Sequence, residues 1–379
     1  MECCDVLIVG AGSAGSTIAK HIAKKGYDVI LVDSRENPGT PQQCSGLFSK
    51  NILELTTLKK NEILKEIKGA VIYSPSKNKL EIKTKKTQAY VVDRTVFDYR
   101  LAIEAKSTGA ILKTKTRLID CKKNTAYFSN ETKIKYKIIV GADGPNSTVA
   151  KIYEYPKLEK KIVGIINLYD KTQKQDFVEL YLGNKVAPGF FAWKIPRKTD
   201  YELGIATELN TKKFFEKFKK NKTFAKNIST TAGVIPLECR KITVIKNSLL
   251  VGDAAGHTKA TTGGGVVMGM RAATIAANCV CDALKNDNLK LLKSYEKLWR
   301  KEIGRDLKYA QMFRKFLNSL NDKQLDKFVY ISSRKEVTDF LKKHGDMDYP
   351  NKIIKKLILK PRVWLPYVVF IKKILNIII

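Results

Sequence analysis

Apolar positions along the chain follow two rhythms. Unbroken runs at residues 5–9, 29–32, 137–140 and 249–251 read as strands buried on both faces of a parallel sheet. Helical spacing dominates elsewhere. Ile18, Ala19, Ile22 and Ala23 form one stripe, with Lys24 and Lys25 at its C-terminal end and Gly26 as its cap. Residues 50–68 alternate charges with leucines and isoleucines at helical spacing, and 95–107 read as an amphipathic helix. Residues 70–84 predict a hairpin turning at 75–78, 90–93 a short strand, and 111–119 and 125–136 further strands. Past residue 290 the chain becomes helical and basic, with apolar residues between lysines over 289–316 and 325–343. Strands that alternate with helices predict an α/β fold around a parallel sheet.

Gly10, Gly12 and Gly15 follow the first strand and open the first helix. In this G-x-G-x-x-G, the first glycine permits the tight turn, the second lets a pyrophosphate approach the backbone, and the third lets helix and strand pack closely. The helix N-terminus offers its unpaired N–H groups to the phosphates. The second strand ends in Asp33, where a carboxylate meets a ribose hydroxyl. Strand, glycines, capped helix, strand and acid in this order predict a dinucleotide site.

Composition narrows the partners. Hydrophobic residues make up 44% of the 379, which excludes global disorder. Lys+Arg 70 against Asp+Glu 37 gives +33, a surface that attracts anionic lipid, phosphorylated substrate or acidic protein. The basic residues are dispersed, without an arginine-rich block, so nucleic acid is not the expected partner. None of the seven cysteines stands at a zinc-ligand spacing, so no metal is expected, and free thiols suit a reducing compartment. The first strand starts almost at once, leaving no room for a signal peptide and implying the cytoplasm.

Other stretches carry candidate chemistry. Cys44, Ser45 and Gly46 follow a Pro/Gly-rich loop, where the thiol either faces a cofactor ring or packs as a small hydrophobe. Two more strands end in glycine plus acid. One runs into Gly141-Ala142-Asp143-Gly144, the other into Gly252-Asp253-Ala254-Ala255-Gly256, followed by Gly263-Gly264-Gly265 and an Ala/Met-rich helix. Three such signatures predict one large cofactor gripped at several points. Phe190, Phe191 and Trp193 between Pro188 and Pro196 form either a rigid aromatic wall for a long apolar chain or an aromatic core strand. The tail, 361–379, has an apolar run broken by Lys372 and Lys373, too short to span a bilayer. With Trp364 and Tyr367 it reads either as a segment lying on an anionic membrane surface or as a buried helix.

These motifs together, with Asp93-Arg94-x-x-Phe97-Asp98, resemble the flavoprotein group that includes para-hydroxybenzoate hydroxylase, and within it the geranylgeranyl reductases, notably the archaeal digeranylgeranylglycerophospholipid reductases. The resemblance runs from the first strand to about residue 301. It implies a Rossmann-like three-layer FAD-binding domain over 1–151 and 242–290, an inserted antiparallel substrate-binding sheet over 152–241, and a C-terminal helical region over 291–379. It further implies noncovalent FAD and saturation of isoprenoid carbon–carbon double bonds in membrane lipids; with one nucleotide fingerprint rather than two, the electron donor is external, whether ferredoxin, a deazaflavin or NAD(P)H. Ala14 and Gly15 would contact the pyrophosphate, Asp33 the ribose, Arg94 the phosphate or ribitol, and Leu118 the cofactor. Cys44, Ser45 and Gly46 would lie near the isoalloxazine, with Asp253, Gly264, Gly265 and Val266 closing over ribitol and ring. Phe191, Trp193 and Pro196 match the family's substrate-side element, with Phe191 replacing its Tyr and Ile195 its Phe. The same element resembles the W-x-W-x-I-P of flavin-dependent halogenases, without the first Trp, so an FAD-dependent monooxygenase or halogenase is the alternative. An unactivated alkene requires a proton donor. Cys44 is the first candidate and His257, after the GDAAG turn, the second. Such an enzyme would work in the cytoplasm, peripherally attached to the inner membrane face.

Overall fold

A computed structural model describes residues 1–220 and 225–378; Ile379, the end of the tail, lies outside the described residues. The chain is built on two large sheets. The first runs in the order Val244–Ile245, Ser248–Leu250, Lys133–Gly141, Glu2–Val9, Val29–Val32, Ile111–Lys113. Its central neighbours are parallel, with Val6 opposite both Ile138 and Val29. Val6 and Ile8 face the helices Ser13–Ala23 and Val266–Lys285, while Leu7 and Val9 face the other side with Phe128 and Tyr136. Both faces are therefore dry, as the unbroken apolar runs require.

The second sheet has seven strands, in the order Asn227–Pro236, Lys161–Tyr169, Tyr201–Thr207, Phe191–Pro196, Phe177–Tyr181, Gly69–Tyr73, Lys79–Lys83. All its pairs are antiparallel except that between Phe177–Tyr181 and Gly69–Tyr73. The expected 70–84 hairpin thus exists, but it extends the inserted sheet rather than belonging to the cofactor domain. The helix expected over 50–68 is absent. Its place is taken by a short 3-10 turn, Lys50–Glu54, and the strand Ile63–Ile67, which pairs with Ala89–Val92 in a three-stranded sheet. The β-branched pair Thr56-Thr57 disfavours helix, and strand pairing decides the rest.

The C-terminal region is helical, but position 290 is not a packing boundary. Tyr295, Trp299, Ile303 and Leu307 are buried in the same core as the fingerprint helix. The stretch 325–343 divides into helices Asp322–Ser332 and Lys335–His344. The tail makes Pro361–Trp364, a 3-10 segment Leu365–Phe370, and Ile371–Ile378. Val363 and Phe370 are buried against this bundle, and the Tyr367 hydroxyl meets that of Ser332 at 2.7 Å. The outer face of the tail is exposed.

Candidate active site

The fingerprint turn is shaped by what cannot fit beside it. Gly10 has φ +102°, and a Cβ there would lie 2.4 Å from the Ala142 carbonyl oxygen. At Gly15 a Cβ would lie 1.9 Å from the Gly10 oxygen, so this glycine lets helix and strand meet. Gly12 is the opposite case: a Cβ there meets nothing within 4 Å, because the residue faces a cavity. No side chain caps the helix that follows, and Ser13 and Ala14 carry its first turn along the cavity wall. The Asp33 carboxylate clamps the turn, accepting from the Ala11 N–H at 2.8 Å and the Arg35 N–H at 2.9 Å.

Two other strand ends converge here. Ala142 and Gly144 line the cavity, whereas Asp143 caps the short helix Thr148–Ile152 through the Thr148 and Val149 N–H groups at 2.6 and 3.1 Å. Asp253 is half-buried at the cavity wall, where desolvation raises its pKa, and it accepts from the Thr258 hydroxyl at 3.0 Å. A Cβ on Gly265 would lie 2.6 Å from that carboxylate, so glycine is required where the helix Val266–Lys285 begins. Gly264, Gly265 and Val266 line the cavity. Beside them Lys259, nearly buried, forms an ion pair with the wholly buried Asp348 from the loop before the helix Pro350–Ile358. Burial works to raise Asp348, but the ammonium of Lys259 and the hydrogen bonds from Lys259, Ser49 and Asn51 outweigh it and hold the carboxyl below the usual range.

Cys44 and Ser45 stand at the middle of the cavity wall, with Arg94 next to them. Arg94 forks onto Asp98, Nε to Oδ1 at 3.1 Å and Nη2 to Oδ2 at 2.6 Å, and also adjoins the Cys44 thiol. The Cys44 sulfur accepts weakly from the Gly46 N–H at 3.4 Å. Gly46 itself, with φ +67°, makes the bend, and a Cβ there would strike the Val92 oxygen at 2.0 Å.

Beyond Ser45 the wall turns apolar. Phe191, Trp193 and Ile195 alternate onto the cavity face of their strand, joined by Phe190, which stacks on Phe191 at 4.2 Å. Val178, Leu180 and Ile166 continue that face. The whole space measures about 570 Å³ and is one cavity from Gly12 to the aromatic wall, a volume usual for ligand sites. Behind the wall lies Glu202, 1% exposed. It accepts from Trp193 Nε1 at 2.5 Å and from the Ser45 hydroxyl.

Seven sequence-derived residues lie outside the cavity lining: Gly10, Gly15 and Asp33 act on it through the turn they shape, and four others stand elsewhere. His257 is wholly buried and packs on Trp299 at 4.6 Å, with neither ring nitrogen hydrogen-bonded. Burial, then the nearby Arg300, drives its pKa down to about 3, so the ring is neutral and is not a general acid. Leu118 is buried with Phe128 and Tyr136 beside the nucleotide sheet, and its side chain does not reach the cavity. Pro196 falls one residue out of phase with Phe191, Trp193 and Ile195 and so faces away. Gly46 supports the Cys44 bend from outside the lining. Sequence reasoning missed Glu202, Lys259 and Asp348 as elements of the site. The available signal for Glu202 was a lone acid in the otherwise uncharged strand Tyr201–Thr207.

The uncapped helix start, the open face of Gly12 and the glycines beside Asp253 fit the phosphates and ring of a dinucleotide flavin. Residues 3–215 match the FAD binding domain family, and 209–336 match the lycopene cyclase protein family. The chain is 30% identical to a digeranylgeranylglycerophospholipid reductase of Methanothrix thermoacetophila, covering 88% of this chain and 93% of that protein. It is 32% identical to one from Methanocaldococcus jannaschii, over 85% of this chain and 88% of that protein. A geranylgeranyl bacteriochlorophyll reductase-like protein of Thermoplasma acidophilum shares the fold over 100% of both chains, with a TM-score of 0.86 and 24% identity. A flavin-dependent brominase shares it more loosely, at 0.70 and 17% over 94% of this chain and 98% of that one. The chain is an FAD-dependent oxidoreductase and belongs to the digeranylgeranylglycerophospholipid reductase family.

Proposed function

We propose that this protein saturates the double bonds of geranylgeranyl chains carried by archaeal-type membrane lipids or their precursors. The observation that carries this reading is the continuity of the cavity: a nucleotide cradle at Gly12 and Asp253 opens, without a partition, onto an apolar chamber walled by Phe190, Phe191 and Trp193. FAD, held at Gly12, Ala14, Arg94, Asp253 and the Gly264–Gly265 turn, over a turn that Asp33 clamps, would supply a hydride when reduced. The chain's own work is to bind, orient and keep dry. The aromatic wall holds an isoprenoid chain without hydrogen bonds, and Cys44, at the junction, orients the alkene. The sequence carries one dinucleotide fingerprint, so electrons come from a separate donor such as ferredoxin, a deazaflavin or NAD(P)H.

A membrane-borne substrate must be collected from its bilayer, and the tail suits that task. Leu365, Val368, Val369, Ile371 and Leu375 are exposed beside Lys372 on a chain of net charge +33. Apolar insertion and about 1 kcal/mol per lysine near an anionic surface would together give peripheral attachment.

The test is anaerobic. Reduced holoenzyme mixed with a geranylgeranylated phospholipid should regain oxidised flavin absorbance in proportion to the double bonds supplied. Reoxidation by dioxygen alone would overturn the reductase reading.

A further inference from the structure

Two carboxyl groups are wholly buried around this cavity, and their surroundings differ. Asp348 has the cation of Lys259 against it. Glu202 has no ion pair among the described residues; the charged side chains nearest it, Arg197 and Asp200, pair with each other at 3.1 Å. Its two hydrogen bonds, from Trp193 and Ser45, reach the same oxygen, Oε1. Burying an unpaired carboxylate costs several kcal/mol, and the group responds by keeping its proton. Burial does raise the Glu202 pKa, against smaller opposing contributions from Ser45, Trp193 and Arg197. Carboxyl groups driven apart in this way mark acid and base roles.

Glu202 does not itself line the cavity, but Ser45 does, beside Cys44. We propose that the proton consumed in saturating the alkene is stored on the Glu202 carboxyl and delivered through the Ser45 hydroxyl. The proposal rests on the reductase reading above. With Glu202 protonated, the bond between the two reverses, so that the carboxyl O–H donates to the Ser45 oxygen and the Ser45 hydrogen is free to face the cavity. In the step, the alkene π pair forms a C–H bond with that Ser45 proton as its O–H bond breaks, and Ser45 takes the Glu202 proton. The neighbouring carbon, left electron-poor, accepts the hydride of the reduced flavin, which is thereby oxidised by two electrons. Glu202 remains as carboxylate and is reprotonated from solvent before the next turnover. Ser45 is the residue that touches the substrate; Glu202 is a positioning residue that keeps the proton one hydrogen bond behind it. A purely structural Glu202 would only anchor the Trp193 indole, which a glutamine oxygen does equally well.

The variants E202Q, E202D and S45A are made in the FAD-loaded protein, and flavin content is checked by absorbance. Infrared difference spectra between wild type and E202Q, without lipid, should show the carbonyl stretch of a protonated carboxyl group at neutral pH. Its absence would overturn the proposal whether or not any lipid is reduced. In single turnovers with geranylgeranylated phospholipid, the wild-type rate should fall as pH rises through the elevated Glu202 pKa. E202Q should lose that limb and on the order of 10²-fold or more in rate, the usual worth of a positioned acid. S45A should lose rate comparably, and E202D should keep a displaced limb. An E202Q or S45A rate within about fivefold of wild type, with the pH limb intact, would overturn the relay. A wild type that adds no hydrogens to lipid would instead overturn the reductase reading.

Discussion

Replacing Lys259 by Met removes the cation from a pair in which Lys259 is 5% and Asp348 0% exposed. The ammonium also donates to the Met347 carbonyl at 3.1 Å, so its loss frees two anchors of the loop that closes one side of the cavity. Breaking one partner of a buried pair costs about 3–5 kcal/mol, because the other charge stays buried. Asp348 keeps the Asn51 amide at 2.9 Å and the Ser49 hydroxyl, which places the expected loss near the lower end, about 3 kcal/mol. In a double-mutant cycle with Asp348→Asn the coupling should be about 2–3 kcal/mol, against about 0.2–1 for an exposed pair. Denaturant unfolding of the FAD-loaded protein measures it, and hydrogen exchange over residues 345–349 should show the loop loosened. The sign with pH is fixed as well. Because the folded pKa of Asp348 lies below its ordinary value, the contribution is present above the unfolded pKa and fades as pH falls through the folded one. Coupling under about 0.5 kcal/mol would mean instead that water screens the pair and that it does not hold the loop.

Three further outcomes follow. Gly12→Val places branched carbons in space that is now open, so the protein should purify without flavin colour while unfolding much as wild type does; absorbance and a melting curve decide it. Cys44→Ala should retain FAD and its reduction but lose most alkene saturation, and turnover within a few-fold of wild type would leave the thiol a packing residue. Val368→Ser/Val369→Ser/Leu375→Ser, all on the exposed face of the tail, should weaken sedimentation with anionic vesicles while sparing activity on detergent-dispersed lipid. High salt should weaken the wild type's binding without abolishing it. Removing 361–379 outright would instead take away Val363 and Phe370 and uncover Phe316, Leu325 and Phe340 of the helical bundle, against which they pack.

The cofactor half of the site was legible because its chemistry is local. Gly10, Gly12 and Gly15 act within one turn, and Asp33 clamps that same turn. The substrate half depends on pairings between distant residues. Nothing local says that Gly69–Tyr73 pairs with Phe177–Tyr181, so the hairpin was legible as a hairpin but its place in the inserted sheet was not. Period-two alternation, applied to Phe191–Pro196, would already have turned Pro196 away from the cavity. His257 was misplaced because a histidine after a glycine turn reads the same whether it faces a cofactor or, as here, the ring of Trp299 in the core. Lys259 and Asp348 are 89 positions apart, and only the fold brings them together.

Whether the protein adds hydrogen to a lipid is read from the mass of the product. Reduced holoenzyme is incubated without oxygen with a digeranylgeranyl phospholipid, and the lipid is extracted and weighed. A reductase gives a ladder of masses rising by two hydrogens per step, with no oxygen or halogen incorporated. An unchanged lipid, or one that gains oxygen when air is admitted but never hydrogen, would contradict the reductase reading.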